Sequence, residues 1–173
     1  VIRADKMRSS GSTAYIKGLF QEFFSDWGFN ITIKTDSGLD ITTDALLMTA
    51  AKGHYCGGGF CSSPLTLPDN GLIDIAVIKN ISKLKLLQFL KKYHDGTCIT
   101  DKKAQDFIKY TQCKEADISV NKPQGICLDG EIYTFSNAHF KCCPKSVKFI
   151  VPKGAEYTYR KIKNRRIKSN DNN

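Results

Sequence analysis

Asp129-Gly130-Glu131, set between the apolar Cys127-Leu128 and Ile132, is a place where residue type and spacing can do chemistry. A carboxylate fixed at a sheet edge can take a proton from a substrate hydroxyl, given a tuned pKa and a partner within about 3 Å. The same tripeptide also reads as an Asp-Gly hairpin turn with Glu131 facing solvent. Asp69-Asn70-Gly71 is a second candidate: a carboxylate and loop carbonyls suit a hard cation such as magnesium, while an Asn-Gly turn makes the same shape with no metal. Gly57-Gly58-Gly59 can offer amides to an anion. A phosphate cradle, however, normally feeds a helix start and often carries a Lys followed by Ser or Thr, and neither follows here. A bulge or a close backbone approach is the other reading of these glycines.

The cysteines and histidines point to no centre of their own. Cys56 and Cys61 are five apart and Cys142-Cys143 are adjacent, without the regular Cys-x-x-Cys pairs of structural zinc. Cys113, Cys127 and one member of the Cys142-Cys143 pair are expected as small buried hydrophobes in strands. His54, His94 and His139 are too separated to argue a Ser/His/Asp triad and are expected as surface or hydrogen-bonded loop residues. Seven cysteines, an odd number, do not suit a disulfide-stapled secreted scaffold, so a reducing compartment is expected.

These loops must be positioned by a chain of 173 residues, 41% hydrophobic and 25% charged, enough for one core. Tyr15, Leu19, Phe20, Phe23 and Phe24 recur at helical spacing, which predicts a helix over 14–24 capped by Ser12 or Thr13. Phe29, Ile31 and Ile33 alternate as in a strand, Asp36-Ser37-Gly38 reads as a hairpin turn, and 39–49 as the return strand. Residues 72–78 have alternating strand character. Ser82 caps a second helix whose apolar face is Leu84, Leu87, Phe89 and Leu90, ending at His94-Asp95-Gly96. Beyond it, short strands are expected at 107–113, 116–120, 125–128, 131–135, 139–142 and 147–151. The pattern predicts a mainly β fold, an antiparallel sandwich or partly open barrel with two accessory helices. No apolar run approaches the roughly twenty residues of a membrane span.

The net charge is +9, of which +5 lies in 153–173, where Lys153, Arg160, Lys161, Lys163, Arg165, Arg166 and Lys168 face Glu156 and Asp171. Such a segment can meet phosphates or an anionic membrane, or it can be a solvated extension. A nucleic-acid module is not expected, because Phe29, Phe60, Phe107, Tyr110, Phe135 and Phe149 suit core positions better than a stacking stripe.

Taken in order, Ala51-Lys52-Gly53-His54-Tyr55-Cys56-Gly57-Gly58-Gly59-Phe60, Ser63-Pro64, Asp69-Asn70-Gly71-Leu72-Ile73-Asp74, Leu128-Asp129-Gly130-Glu131 and Val151-Pro152 resemble the C-terminal half of the bacterial diacylglycerol kinase and YegS/BmrU-like lipid kinases. The resemblance runs from about Gly11 to Pro152. It implies an extension or fragment boundary at 1–10, a β-sandwich lipid-kinase C-terminal domain at 11–152, and a basic tail at 153–173. It implies Glu131 as general base with Asp129 supporting, a structural Mg2+ loop at Leu67, Asn70 and Leu72 with Asp69 nearby, and Gly57, Gly58 and Gly59 as a substrate-cleft loop. Many relatives have Asp at the position of Asn70, and its loss puts magnesium affinity in doubt.

The family's Gly-Gly-Asp-Gly-Thr nucleotide motif is absent from this sequence. The resemblance therefore implies that ATP is bound mainly by an N-terminal α/β domain of the same protein, that a chain starting at Val1 is one half of it, and that this half alone is inactive. The implied whole is a cytoplasmic, peripherally membrane-associated kinase that phosphorylates a membrane lipid, with Arg160, Lys161, Lys163, Arg165, Arg166 and Lys168 meeting anionic lipid. The alternative is a non-catalytic lipid-binding or regulatory β-sandwich module.

Overall fold

The structure, a computed structural model, describes residues 28–56, 59–148, 150 and 153. The helix expected at 14–24 and nearly all of the basic tail lie outside the described residues. The chain divides into two compact units, 1–142 and 143–173. The first holds β1 (Phe29–Thr35), β2 (Asp40–Ala51), β3 (Ile73–Lys79), α1 (Lys83–His94), a 3₁₀ turn (Cys98–Thr100), β4 (Ile108–Cys113), β5 (Glu115–Leu128) and β6 (Glu131–Lys141). In the second, Ser146 Oγ donates to the Cys143 carbonyl at 2.6 Å. The expected last strand is not formed at Val147, Lys148 or Ile150; Pro144 and Lys145, the latter at φ 59°, turn the chain just ahead of it.

The strands form one antiparallel sheet in the order β4-β3-β2-β1-β5-β6. That order puts four strand spacings, about 19 Å in a flat sheet, between β4 and β5. Yet only Lys114 separates Cys113 from Glu115, and two chain steps reach about 7 Å. The sheet must therefore fold back on itself. The bend falls in β2, whose first half pairs with β1 and whose second half pairs with β3, with a bulge between Ala45 and Leu47. Asp36 ties the fold-over: its Oδ1 accepts from the Lys114 and Glu115 amides at 2.9 and 3.1 Å. A single folded sheet thus makes both layers of the sandwich.

Between the layers lies a core of Ile31, Ile33, Ala45, Ile75, Val77, Cys113, Ala116 and Ile118. β3 is buried on both faces rather than alternating, because its other side, through Ile78, meets a second cluster of Cys98, Ala104, Phe107 and Ile108. Helix α1 covers that cluster with Phe89 and Tyr93. Leu84 and Leu87, expected on its apolar face, are 75% and 52% exposed, since the face turned inward runs through Phe89 and Tyr93. Ser82 is the N-cap and accepts from the Lys85 amide.

The expected short strands at 116–120 and 125–128 are one long β5, and those at 131–135 and 139–142 are one long β6. Pro123, which has no amide hydrogen to give, falls in the register irregularity between Ser119 and Gln124, so the ladder is interrupted while the strands continue. Cys127 is exposed rather than buried, while Cys113 is buried as expected and Cys98 is buried too.

Candidate functional site

Lys52 follows the last residue of β2, and its stem is aimed at the 67–72 turn. Its Nζ donates to the Leu67 carbonyl at 2.8 Å, to Asn70 Oδ1 at 2.7 Å and to the Leu72 carbonyl at 2.6 Å. The turn is shaped by Asn70, whose Oδ1 also accepts from the Leu72 amide at 3.0 Å, and by Gly71 at φ 70°, a left-handed conformation that favours glycine. The resemblance names these same three positions as magnesium ligands. With a lysine ammonium on all three oxygens, the residues as arranged do not fit magnesium, which wants near-octahedral oxygens at about 2.0–2.1 Å. Asp69, the nearby carboxylate, is exposed.

The segment leading into that turn is held from below. Asp74, fully buried at the start of β3, accepts from Gln112 Nε2 at 2.9 Å and from the Tyr110 hydroxyl. The same Gln112 nitrogen donates to the Leu65 carbonyl at 3.2 Å. Both hydrogens of one amide group thus join a buried carboxyl group to the loop backbone. His54 Nε2 lies 2.9 Å from the Thr66 carbonyl, and the Ser63 amide donates to the His54 carbonyl at 3.3 Å.

The residues that flank the glycine run are paired with each other. Cys56 and Phe60 exchange two backbone hydrogen bonds at 2.9 and 3.0 Å, and Gly59 has φ 91°; Gly57 and Gly58 lie outside the described residues. Beside this pairing, the Phe60 ring meets the rings of Tyr93 and His94 at 5.8 and 5.1 Å, and the Cys61 amide donates to the His94 carbonyl at 3.0 Å. This loop is therefore seated on the C-terminal end of α1. Burial pushes the Cys61 thiol up, with Cys56 adding to it.

Asp129 and Gly130 occupy the tip of the β5–β6 hairpin, where Leu128 pairs with Glu131. Their φ angles are 49° and 102°, the two successive positive values of a tight hairpin turn. Glu131 is exposed, as the turn reading had it, in a place where a carboxylate can reach an incoming group. A depression of about 410 Å³ is lined by Thr32, Lys34, Asp117, Ser119, Asn137 and His139 among others. Its β6 lining, Asn137 to His139, is six to eight residues from Glu131, roughly 20–26 Å of strand.

The structure thus gathers Leu67, Asn70 and Leu72 around one cation and sets Asp129 and Glu131 on a separate hairpin. Arg160, Lys161, Lys163, Arg165, Arg166 and Lys168 lie outside the described residues. Sequence reasoning did not single out Lys52, nor the Asp74–Gln112 contact. The legible signal for Lys52 was a basic residue in a chain that has Asn rather than Asp at position 70. Among the described residues no helix is long and apolar enough to cross a membrane, and no three His, Cys, Asp or Glu side chains group as metal ligands.

Comparison with known proteins places this architecture. A curated protein of Shewanella frigidimarina named "Probable lipid kinase YegS-like" is 26% identical over 121 residues, 70% of this chain and 37% of that protein. One of the same name from Alcanivorax borkumensis is 24% identical over 111 residues, 64% of this chain and 36% of its own. The chain thus spans little more than a third of the curated relatives' length. Two solved structures described as "a putative diacylglycerol kinase" from Bacillus anthracis str. Sterne share the fold. Their TM-scores are 0.51 and 0.50 at 22% and 23% identity, covering 79% and 82% of this chain and 44% of each of theirs. Residues 2–151 match the family described as "YegS C-terminal NAD kinase beta sandwich-like domain", and with a sheet that folds over to make both layers of a sandwich, the chain belongs to that family.

Proposed function

We propose that this chain is the substrate-side half of an ATP-dependent lipid kinase of the diacylglycerol-kinase kind, and that Glu131 is its general base. The observation that carries the reading is the exposed Glu131 beside a tight two-residue turn, in a chain homologous to probable lipid kinases. In the proposed reaction a lipid hydroxyl oxygen bonds to the γ-phosphorus of ATP, the bond from that phosphorus to the β–γ bridging oxygen breaks, and ADP leaves. The hydroxyl proton passes to the Glu131 carboxylate. Asp129 supports by holding the turn that aims Glu131, and the loop carrying Gly57, Gly58 and Gly59 borders the lipid cleft. ATP is held by an N-terminal α/β domain, the partner this half requires, and the half alone is inactive.

The whole enzyme is cytoplasmic and peripheral in this reading. The basic run Arg160, Lys161, Lys163, Arg165, Arg166 and Lys168 rests on anionic lipid at about 1 kcal/mol per residue near the surface. The test is phosphate transfer from ATP to diacylglycerol in mixed micelles by a protein containing both halves. Glu131→Gln is expected to lower kcat by about 10²–10⁴-fold with ATP affinity and melting temperature unchanged. A variant within a few-fold of wild type removes Glu131 as the base.

A further inference from the structure

We propose that the Lys52 ammonium is the resident cation of the 67–72 turn, a built-in substitute for a divalent metal that makes this loop independent of magnesium. An ammonium has three N–H donors and no more, and all three are spent on the Leu67 carbonyl, Asn70 Oδ1 and the Leu72 carbonyl at 2.8, 2.7 and 2.6 Å. The acceptor side is equally complete. An amide oxygen has two lone pairs, and Asn70 Oδ1 uses one for Lys52 and one for the Leu72 amide, so neither is left to bind a metal.

Charge points the same way. Three neutral oxygens around a monovalent ammonium hold a single positive charge in a partly buried site. A divalent ion on the same three oxygens would hold two, with no carboxylate among those ligands to offset it. Asn70 and Lys52 are therefore matched to each other, as an Asp and a magnesium ion would be. The lysine is placed by the sheet itself, since Ala51, the residue before it, pairs with Asp74, two residues past Leu72. The ammonium thus ties the exit of β2 to the entrance of β3 by a contact that chelators cannot remove.

The test uses the 173-residue chain, and no readout involves turnover, so it stands or falls separately from the kinase reading. Mn2+ is added to the 15N-labelled protein and amide broadening is followed, with melting measured in EDTA and in millimolar Mg2+. The expected result is no saturable broadening confined to residues 67–72, the same melting temperature in both buffers, and a slowly exchanging Lys52 15Nζ signal. Lys52→Ala should melt roughly 5–10 °C lower, given the charged donor that three partly buried oxygens lose. Millimolar Mg2+ should recover part of that loss, and more of it in Lys52→Ala/Asn70→Asp, because binding to the folded state stabilises it. Selective, saturable broadening of the wild-type loop, or a wild-type melting temperature raised by Mg2+, overturns the proposal. Should Lys52→Ala not fold, the wild-type titration and the Nζ signal still decide.

Discussion

Gly96 offers a test of how the glycine-containing loop is seated on α1. The helix ends in a Schellman arrangement: the Gly96 amide donates to the Tyr93 carbonyl at 3.2 Å and the Thr97 amide to the Lys92 carbonyl at 2.9 Å. Gly96 has φ 73°, and a Cβ there would meet Cys61 Sγ at 2.7 Å, Cys61 Cβ at 3.0 Å and Pro64 Cβ at 3.1 Å. Gly38 has φ 93° with nothing within 4 Å of such a Cβ, so it is an internal control for backbone strain alone. Gly38→Ala is expected to cost about 1–2 kcal/mol from the left-handed conformation. Gly96→Ala carries the same strain plus about 1–3 kcal/mol of overpacking, roughly 2–5 kcal/mol in all. With a urea m-value of about 2 kcal/mol/M, that moves the unfolding midpoint down by about 1–2.5 M, against about 0.5–1 M for Gly38→Ala. Cys61→Ala in the Gly96→Ala background should recover part of the difference by removing the nearest atom. Equal midpoints for the two glycine variants would refute the close approach and with it the seating of the loop on the helix end.

Thiol reactivity should sort by burial. Burial first, then the charge of Asp101, pushes Cys98 up to about 11, and burial with Asp36 and Asp74 takes Cys113 to about 11. Near pH 8, Cys56, Cys127 and Cys143, all exposed, should alkylate quickly while Cys98 and Cys113 stay unmodified until the protein unfolds; mass spectrometry showing Cys98 or Cys113 among the fast group would contradict the packing. At the end of α1, the hydrogen bond from Lys92 and then the Lys103 amide hold the Asp101 carboxyl below its ordinary 3.8. A depressed folded value stabilises above the ordinary carboxyl range and fades as pH falls through the folded one, so protection of the α1–3₁₀ junction from hydrogen exchange should drop below about pH 4. Asp101→Asn should flatten that step, and an unchanged acid profile would show the pair to be idle. Binding of the chain to anionic vesicles should weaken with salt and be lost on deletion after Pro152, because exposed charge is screened over about 8–10 Å; salt-insensitive binding that survives the deletion would place the contact elsewhere.

Local chemistry carried much of this protein into plain view. Alternating Ile31 and Ile33, the Asp36-Ser37-Gly38 turn, Ser82 as N-cap and Gly96 as helix stop are all short-range matters of side-chain periodicity and backbone freedom, and each stands where residue type alone puts it. So does the Asp129-Gly130 hairpin, whose turn residues specify their own geometry. The ordered motifs from Ala51 to Pro152 were enough to suggest the lipid-kinase family. What local pattern could not convey was continuity and facing. Residues 116–120 and 125–128 read as two strands, but pairing with β6 on either side of the irregularity between Ser119 and Gln124 makes them one β5. Leu84 and Leu87 had helical spacing, yet which stripe of a helix turns inward depends on the surface it meets, here Ile78, Phe107 and Ile108.

The amino-acid order alone therefore determined β1 and its return strand, the cap and stop of α1, the family resemblance and the turn that presents Glu131, because these depend on neighbours a few residues apart. Tertiary structure decided that one sheet folds over at Ala45–Leu47 to become two layers, that β3 is buried on both faces, and that Lys52 closes on Leu67, Asn70 and Leu72. Those outcomes join residues fifteen to twenty positions apart or more. Nothing in the spacing of Lys52 from Asn70 says that an ammonium will reach an amide oxygen until the antiparallel pairing of β2 and β3 brings the two ends of the loop together.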